Sequence, residues 1–370
     1  MAGNGRAGRL VAGGLALAAV GWALRDVPAA LGGGAAGERL ERMRRSPRFR
    51  DGAFHNSVPG TSVPRGNLVR LLGELLLDRD GRRPPGRVPV VGSPLVPPSE
   101  DGLSALWYGH ATTLVEIEGR RVLFDPVWSE RCSPAPVGGP RRLHPMPASL
   151  VGLPSLDAVV ISHDHYDHLD MATVRALTAL QRAPFLVPLG IGAHLERWGV
   201  PRERIVELDW EEETRVAGLR FVATAARHFS GRTLRRDTTL WGSWVVAGER
   251  HRVFYAGDSG YFDGYAGIGA AHGPFDLTLM PVGAYSPNWP DIHMNPEEAV
   301  RAHLDLGGEL LLPVHWASFT LAFHPWAEPA DRLWREAKAR DVRVVVPRPG
   351  ERIDTGDAPA PDGWWELLGG

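Results

Sequence analysis

The feature that most constrains this chain is HDHYDHLD, residues 163–170, which follows the β-rich run LDAVVIS at 156–162. Seven of these eight side chains are ionisable, so the segment is not built to pack a core. Three later β-rich runs also end at a side chain that can bind a metal: FVATAAR at His228, VFYAG at Asp258 and LLPV at His315. Open α/β sheets place their sites at the carboxyl ends of strands, so these four ends predict one shared site.

The spacing inside residues 163–168 predicts metal binding. His163 and His165 are two residues apart, so in an extended loop they project to the same side and can hold one ion. Asp167 and His168 can then turn to a second ion. Imidazoles and carboxylates without thiolates suit Zn²⁺ best, with Fe or Mn as alternatives. A solvated surface loop is the plainer interpretation of such histidines, and the three later strand ends argue against it.

The rest of the sequence predicts one α/β domain. Two sets of short β-rich runs alternate with helices, which implies packed sheets with helices outside. The predicted strands are 112–117, 121–124, 156–162, 184–188, 219–225, 243–247, 252–256, 277–282, 310–314 and 342–346. Asp170 and Asn295 are expected to cap helices, the second with Pro296 at its first position. Two further helices are predicted at 38–45 and roughly 329–340.

Composition narrows the choice of function only slightly. The 370 residues are 44% hydrophobic and 23% charged, which is ordinary for a folded protein. A formal net charge of −2 gives no basic field, so we expect no nucleic-acid partner. Cys132 is the single cysteine, which excludes an intrachain disulfide and a CxxC metal motif.

The N-terminus carries one stretch that suggests a membrane. Residues 10–24 are uncharged and flanked by arginines, but these 15 residues are fewer than the roughly 20 that span a bilayer as a helix. A signal-peptide core, a short anchor and an interfacial helix all fit. We predict membrane association through this segment, on an undetermined side, with a cytoplasmic protein as the alternative. The predicted organisation is an apolar segment and linker at 1–35, an extension at 36–100 that packs on or leads to the core, and the main domain at 101–370.

Several motifs together resemble one family. HDHYDH, followed by the three later donors, resembles the metallo-β-lactamase fold of binuclear hydrolases. The likeness is closer still to the N-acylphosphatidylethanolamine-hydrolysing phospholipase D group, over about residues 54–349. It rests on WYGHATTLVEIEG (107–119), FDPVWSERCSP (124–134), ISHDHYDHLD (161–170), RTLRRDTTLWGSWVV (232–246), YAGDSGYF (255–262), GPFDLTLMPVGAY (273–285), NPEEAVRAH (295–303) and VHWASF (314–319). The resemblance implies an αββα four-layer sandwich, two zinc ions, and hydrolysis of the phosphodiester bond between a phosphatidyl group and an N-acylethanolamine.

The resemblance also implies roles for individual residues. The first zinc would be bound by His163, His165 and His228. The second zinc would be bound by Asp167, His168 and His315, and Asp258 would bridge the two ions. In that family the positions that match Tyr166 and His293 lie near the lipid phosphate.

A mechanism follows from two bound metals. A metal-bridging hydroxide would attack phosphorus, because coordination lowers the pKa of water from 15.7 to about 7. The products would be phosphatidic acid and an N-acylethanolamine. His293 would either protonate the leaving group or hydrogen-bond the phosphate. Asp125, in the turn after a strand, would either orient a ligand histidine or cap its own turn.

Two groups of residues near the predicted ligands have two interpretations each. Four arginines either bind phosphate or a lipid surface, or are simply solvated: Arg227, Arg232, Arg235 and Arg236. Five aromatic residues either line an acyl channel or pack in the core: Trp289, Trp316, Phe319, Phe323 and Trp326. Asp164 has no assigned role.

Three functions stay open on the sequence alone. The first is the phospholipase D activity, with a phospholipid substrate, a membrane surface as partner and a homodimer as a candidate assembly. The second is a related metallohydrolase that opens a lactone or cleaves a cyclic nucleotide or another small phosphodiester. The third is a membrane-anchored lipid-binding protein without turnover, which the complete set of seven ligands disfavours.

Overall fold

Two seven-stranded sheets form the body of the computed structural model, which describes Gly21 and residues 24–60, 81–92 and 97–369. A short hairpin of β1 (Phe49–Arg50) and β2 (Ala53–Phe54) precedes them. The first sheet contains β3 (Leu103–Gly109), β4 (Thr112–Ile117), β5 (Arg120–Phe124), β6 (Ala158–Val160), β7 (Phe185–Pro188) and β8 (Ile205–Leu208). The second contains β9 (Glu213–Val216), β10 (Leu219–Thr224), β11 (Ser243–Ala247), β12 (Arg252–Tyr255), β13 (Phe275–Pro281), β14 (Gly308–Val314) and β15 (Arg343–Val344). The last strand, β16 (Arg352–Asp354), returns to the edge of the first sheet.

Each sheet is antiparallel on one side and parallel on the other. The first sheet has the order β16-β3-β4-β5-β6-β7-β8, and its pairings are parallel from β5 to β8. The second has the order β15-β14-β13-β12-β11-β10-β9 and is parallel from β12 to β15. Parallel neighbours end at the same edge, so loops that follow β6, β12 and β14 leave from comparable edges of the two sheets.

Helices cover the outer faces of the sheets. They are α1 (Val27–Ala30), α2 (Gly37–Arg45), α3 (Met171–Leu180), α4 (Gly192–Arg197), α5 (Gly264–His272), α6 (Pro296–Asp305) and α7 (Glu328–Ala339). Both predicted caps are present, because Asp170 accepts a hydrogen bond from the Ala172 amide and Asn295 forms a capping box with Glu298. The four helices predicted from the sequence are therefore present, at Gly37–Arg45, Met171–Leu180, Pro296–Asp305 and Glu328–Ala339.

The core lies between the sheets, and the period of two along each strand decides which side chains enter it. On β4, Val115 packs between the sheets, whereas Leu114 packs toward α3 and α4. Phe221 and Leu279 of the second sheet belong to the same cluster as Val115. Because both faces of each sheet are covered, most strand residues are buried. The predicted αββα four-layer sandwich is confirmed.

Four strands of the two sheets are not among those predicted from the sequence: β3, β8, β9 and β16. Three of them lie at sheet edges. Edge strands are paired on one side only, so a short sequence without a continuous apolar run suffices, as in ETRV of β9, where burial alternates with exposure. β3 is buried throughout, but Ser104 and Gly109 interrupt its apolar pattern.

The N-terminal prediction needs correction. Most of the apolar stretch at 10–24 lies outside the described residues. Where the chain is described, none of its helices combines the length and apolar character needed to cross a bilayer. α1 has only four residues, and α2 is highly charged and pairs Arg39 with Glu196 and Glu207 of the main body. The predicted membrane association through this segment is therefore wrong for the described part of the chain, whereas the predicted domain boundaries stay predictions.

Candidate metal centre

Three histidines form a compact group where the loop after β6 meets the end of β10. His163 Nε2 lies 2.8 Å from His165 Nδ1, and His165 Nδ1 lies 3.3 Å from His228 Nε2. His163 and His228 are buried and His165 is half-buried. We call this group the first trio. The three ligand atoms lie within 4.8 Å of one another, so together they could hold one metal ion.

A second group lies beside it and contains a carboxylate. Asp167 Oδ2 lies 3.4 Å from His168 Nε2 and 3.2 Å from His315 Nε2. Asp167 and His168 leave the same loop as His163, whereas His315 follows β14 of the opposite sheet. We call these three residues the second trio.

Asp258, which follows β12, stands between the two trios. Its Oδ2 atom lies 3.1 Å from both His168 Nε2 and His315 Nε2, and 3.8 Å from both His163 Nε2 and His228 Nε2. The seven residues predicted from the strand ends therefore meet at one place. A single carboxylate contacts donors of both trios, which is the geometry that a bridging ligand needs.

The donor atoms fit metal binding in a further respect. Asp258 Oδ1 and His168 Nε2 are buried and have no hydrogen-bond partner among the described residues. Leaving a buried carboxylate oxygen unpaired costs free energy unless a cation compensates it. Imidazole and carboxylate donors without a nearby thiolate suit Zn²⁺, Fe or Mn.

Neighbouring groups hold the second ring nitrogens of His168 and His228 and so orient their donor atoms. His168 Nδ1 donates to Asp125 Oδ2 at 2.6 Å, and His228 Nδ1 donates to the carbonyl oxygen of Ile292 at 3.0 Å. Asp125 is fully buried and also accepts from the Ser162 amide and hydroxyl and from the Tyr255 hydroxyl. Such contacts fix the tautomer and aim of a metal-binding imidazole. Of the two roles expected for Asp125, its contacts match the orienting one.

The two trios differ in their protonation. Burial lowers the pKa of His163 and His228 well below the ordinary histidine value, so both rings are neutral and can accept a metal. Burial also acts on His168 and His315, but the negative charges of Asp258 and Asp167 outweigh it. They raise the pKa of His168 well above its ordinary value and that of His315 to about 9.

Sequence reasoning missed His110, which lies in the turn between β3 and β4. Its Nε2 atom is 2.9 Å from Asp167 Oδ2, and its ring centroid is 4.1 Å from that of His315. Burial lowers the pKa of His110 to about 3, so the ring is neutral. The motif WYGHATT contains this residue, but no pattern in the sequence shows that its turn reaches the second trio.

Asn56 and Asp164 form hydrogen bonds in the loops that carry the donors. The Asn56 side chain donates to the His228 carbonyl at 2.7 Å and accepts from the His228 amide at 3.1 Å. Asp164, which had no predicted role, accepts hydrogen bonds from Thr239 Oγ1 at 3.0 Å and from His194 Nε2 at 3.3 Å. Asn56 and Asp164 thus hold the backbone on which donors of the first trio stand.

A cavity of about 220 Å³ opens beside the trios. It is lined by His165, Asp167, Asp258, His293 and His315 together with Phe229, Ala284, Trp289, Ile292 and Leu321. His293 Nδ1 is buried without a hydrogen-bond partner among the described residues and lies 3.8 Å from Asp258 Oδ2. Burial lowers the pKa of His293 to about 4. The cavity is thus lined both by polar donors and by apolar side chains.

Tyr166 does not line this cavity. Its hydroxyl donates to the carbonyl oxygen of Arg232 at 2.8 Å, and the side chain borders a second cavity of about 280 Å³ with Asp170 and Met171. Its contact with a substrate stays a prediction.

Most of the arginines and aromatic residues near the ligands have structural partners. Arg232 is buried and donates to the carbonyl oxygens of Ala30, Asp164 and Leu169, and Arg227 pairs with Asp291. Arg235 and Arg236 are exposed. Among the five aromatic residues, Trp289 alone lines the 220 Å³ cavity. Trp316 stacks on Trp107 in the core, whereas Phe319 packs on His110, Trp326 on Trp364 and Phe323 on Trp289.

Comparison with known proteins identifies the family. Residues 120–316 match the model of the beta-lactamase superfamily domain, a span that contains all seven donors. The chain belongs to this superfamily. A metallo hydrolase from the archaeon Ignicoccus hospitalis shares the fold, with a TM-score of 0.53 and 22% identity over 68% of this chain and 97% of that one. The predicted metallo-β-lactamase fold is thereby confirmed.

Two relatives are similar along much of the chain. An uncharacterized protein of Mycobacterium tuberculosis is 53% identical over 98% of this chain and 99% of its own. N-acyl-phosphatidylethanolamine-hydrolyzing phospholipase D 1 of Caenorhabditis elegans is 37% identical over 66% of this chain and 72% of its own. The expected likeness to that phospholipase group is confirmed. The protein is a metal-dependent hydrolase of the beta-lactamase superfamily.

Proposed function

We propose that this protein is a binuclear zinc phosphodiesterase of phospholipase D type. In this proposal it hydrolyses N-acylphosphatidylethanolamine-like phospholipids to phosphatidic acid and an N-acylethanolamine. The observation that carries the proposal is the position of Asp258 Oδ2, 3.1–3.8 Å from donor nitrogens of both trios. The choice of substrate is supported by the similarity to the phospholipase D of Caenorhabditis elegans.

The residues that would hold the metals follow from the donor geometry. The first trio would bind one zinc, the second trio the other, and Asp258 would contact both. Bound zinc would act as a Lewis acid toward a phosphoryl oxygen and lower the pKa of coordinated water to about 7. Asp167 and Asp258 are both ionised, because neighbouring histidines lower their pKa values against the effect of burial.

The cavity beside the trios suits a molecule with one charged and one apolar end. His293 has a depressed pKa of about 4, so at neutral pH it is a neutral hydrogen-bond donor rather than an imidazolium acid. We therefore assign it a hydrogen bond to the phosphate. Phe229, Trp289 and Leu321 would contact hydrocarbon next to the phosphate and exclude water from it.

A side-by-side assay tests the proposal. The full-length protein would be loaded with zinc, its metal content measured, and its activity compared on N-acylphosphatidylethanolamine, phosphatidylcholine and bis(p-nitrophenyl) phosphate in detergent micelles. Release of phosphatidic acid from the N-acylated lipid, with two zinc ions per chain, is the expected result. Cleavage of the soluble diester alone would refute the lipid substrate, and fewer than two metals per chain would refute the binuclear site.

A further inference from the structure

The backbone of His110 forms hydrogen bonds with three residues, including one on the opposite sheet. Its backbone adopts φ +54°, a left-handed conformation that is uncommon for residues other than glycine. Its amide donates to Ser318 Oγ at 2.6 Å, and its carbonyl oxygen accepts from Trp107 Nε1 at 2.7 Å and from the His315 amide at 2.9 Å. The turn therefore ties the first sheet directly to the backbone of a donor on the second.

The side chain of His110 is also held, by two ring contacts and one hydrogen bond. Its ring packs against that of His315 and meets the edge of Phe319, with centroids 4.1 and 5.1 Å away. Nε2 lies 2.9 Å from Asp167 Oδ2, whereas Nδ1 is buried without a hydrogen-bond partner among the described residues. An ionised carboxylate only accepts hydrogen bonds, so in this contact His110 Nε2 carries the proton and donates it to Asp167.

His110 differs from His168 and His315 in its carboxylate contacts. Its Nε2 atom contacts Asp167, whereas theirs contact both Asp167 and Asp258. A protonated Nε2 has no lone pair for a metal, although His110 lies within the same group as Asp167, His168 and His315. The distance of 2.9 Å is also shorter than the 3.1–3.4 Å between the donor atoms of the second trio and its carboxylate neighbours. It is a hydrogen-bond distance.

We propose that His110 is a positioning residue of the second metal site, which holds Asp167 by a hydrogen bond from Nε2 and holds His315 through its backbone. This inference rests on the proposed two-metal function. The first trio has no contact with His110 and takes its support from Ser162, Ile292 and Asn56 instead. Loss of the His110 donor should therefore weaken the second metal site and leave the first unchanged.

The test compares two substitutions in the full-length protein. His110→Phe keeps a ring and removes the donor, whereas His110→Gln keeps an N–H near the position of Nε2. The readout is the affinity of each site for zinc, measured by competition with a chromophoric chelator, together with metal content. We expect His110→Phe to lose about 10- to 100-fold in affinity at the second trio, and His110→Gln to recover most of that loss.

A matched control separates this effect from the loss of any buried imidazole. His303 is also buried and bonds Thr278 Oγ1 at 2.7 Å, so His303→Phe makes the same exchange away from the trios. This variant should keep both zinc affinities. If His110→Phe does not fold, His110→Asn replaces it, because Asn tolerates φ +54° and its amide is too short to reach Asp167.

The outcomes also separate this inference from the function on which it rests. Two zinc ions bound with unchanged affinities in His110→Phe would overturn the positioning role. Equal losses in the Phe and Gln variants would overturn the hydrogen-bond role of Nε2. Fewer than two zinc ions in the unmodified protein would instead refute the proposed function, whatever the variants do.

Discussion

The first and second trios are neighbours, but different forces prepare them for a metal. In the first trio, burial keeps the imidazoles neutral, and hydroxyl and carbonyl oxygens orient them. In the second, two carboxylates hold protons on His168 and His315. The first trio is thus ready for a cation as it stands, whereas a cation must displace protons from the second. One loop can therefore carry two sites that respond differently to pH and to mutation.

The largest effect is expected from the residue that the trios share. Asp258→Asn keeps the size of the side chain but removes an anion that faces donors of both. We expect both zinc affinities to fall and turnover to decrease by more than about 100-fold, since even partners outside the ligand set change activity 10- to 100-fold. Metal content and hydrolysis rate measure the effect. A normal hydrolysis rate with two bound metals in this variant would show that Asp258 is not part of the metal centre.

A change of pH should separate the trios. In the metal-free protein the pKa of His315 is raised to about 9, so below that pH a proton must leave before the second trio binds a metal. Zinc affinity there should fall about tenfold per pH unit for each proton displaced, which is roughly 100-fold between pH 8 and pH 6 for the His315 proton alone and more if His168 also releases one. The first trio, with lowered pKa values at His163 and His228, should change little over this range. Zinc titrations at several pH values test this, and equal slopes at the two sites would contradict it.

A carboxylate outside the ligand set should act mainly on the second trio. Asp125→Asn weakens the acceptor of the His168 Nδ1 proton, so we expect a 10- to 100-fold loss of zinc affinity at that trio. Tyr255→Phe is the control, because it removes one donor to Asp125 and leaves the bond to His168 in place. If both variants lose the same affinity, the general packing around Asp125 rather than the His168 bond is responsible.

The smallest effect should come from Asn56 and fall on the first trio alone. Asn56→Ala removes two hydrogen bonds to the backbone of His228, for which we expect a several-fold loss of zinc affinity at the first trio. Asn56→Asp keeps the acceptor for the His228 amide and should lose less. Competition with a chelator measures the zinc affinities of both variants. A loss confined to the second trio would contradict the assignment of Asn56 to the first.

The sequence predicts the donors well because each follows a buried strand, and strand ends converge whatever the rest of the chain does. Asp170 and Asn295 are predictable for another reason, since a helix cap depends only on the next few residues. His110 and Asn56 depend on contacts with residues far along the chain, 57 residues away for His110 and Asp167 and 172 for Asn56 and His228. No local sequence pattern predicts such contacts.

Dependence on distant contacts also explains why the surroundings of Arg232 and Tyr166 differ from those expected from the sequence. Arg232 lies in a basic stretch that suits phosphate binding, yet its guanidinium is buried among backbone carbonyl oxygens. The sequence shows its charge but not the carbonyl groups that meet it. For Tyr166, position in the loop is evident from the sequence, whereas the direction of its hydroxyl toward the Arg232 carbonyl depends on tertiary packing.

Each trio draws donors from both sheets. His163 and His165 leave the first sheet and His228 the second, just as Asp167 and His168 leave the first and His315 the second. A metal in either trio would therefore act as a cross-link between the sheets, comparable to a disulfide that closes a long loop. Separation of the sheets would have to break coordination bonds first, so chelation should accelerate unfolding even where the hydrophobic core is untouched. The metal centre would then stabilise the packing of the two sheets as well as carry out hydrolysis.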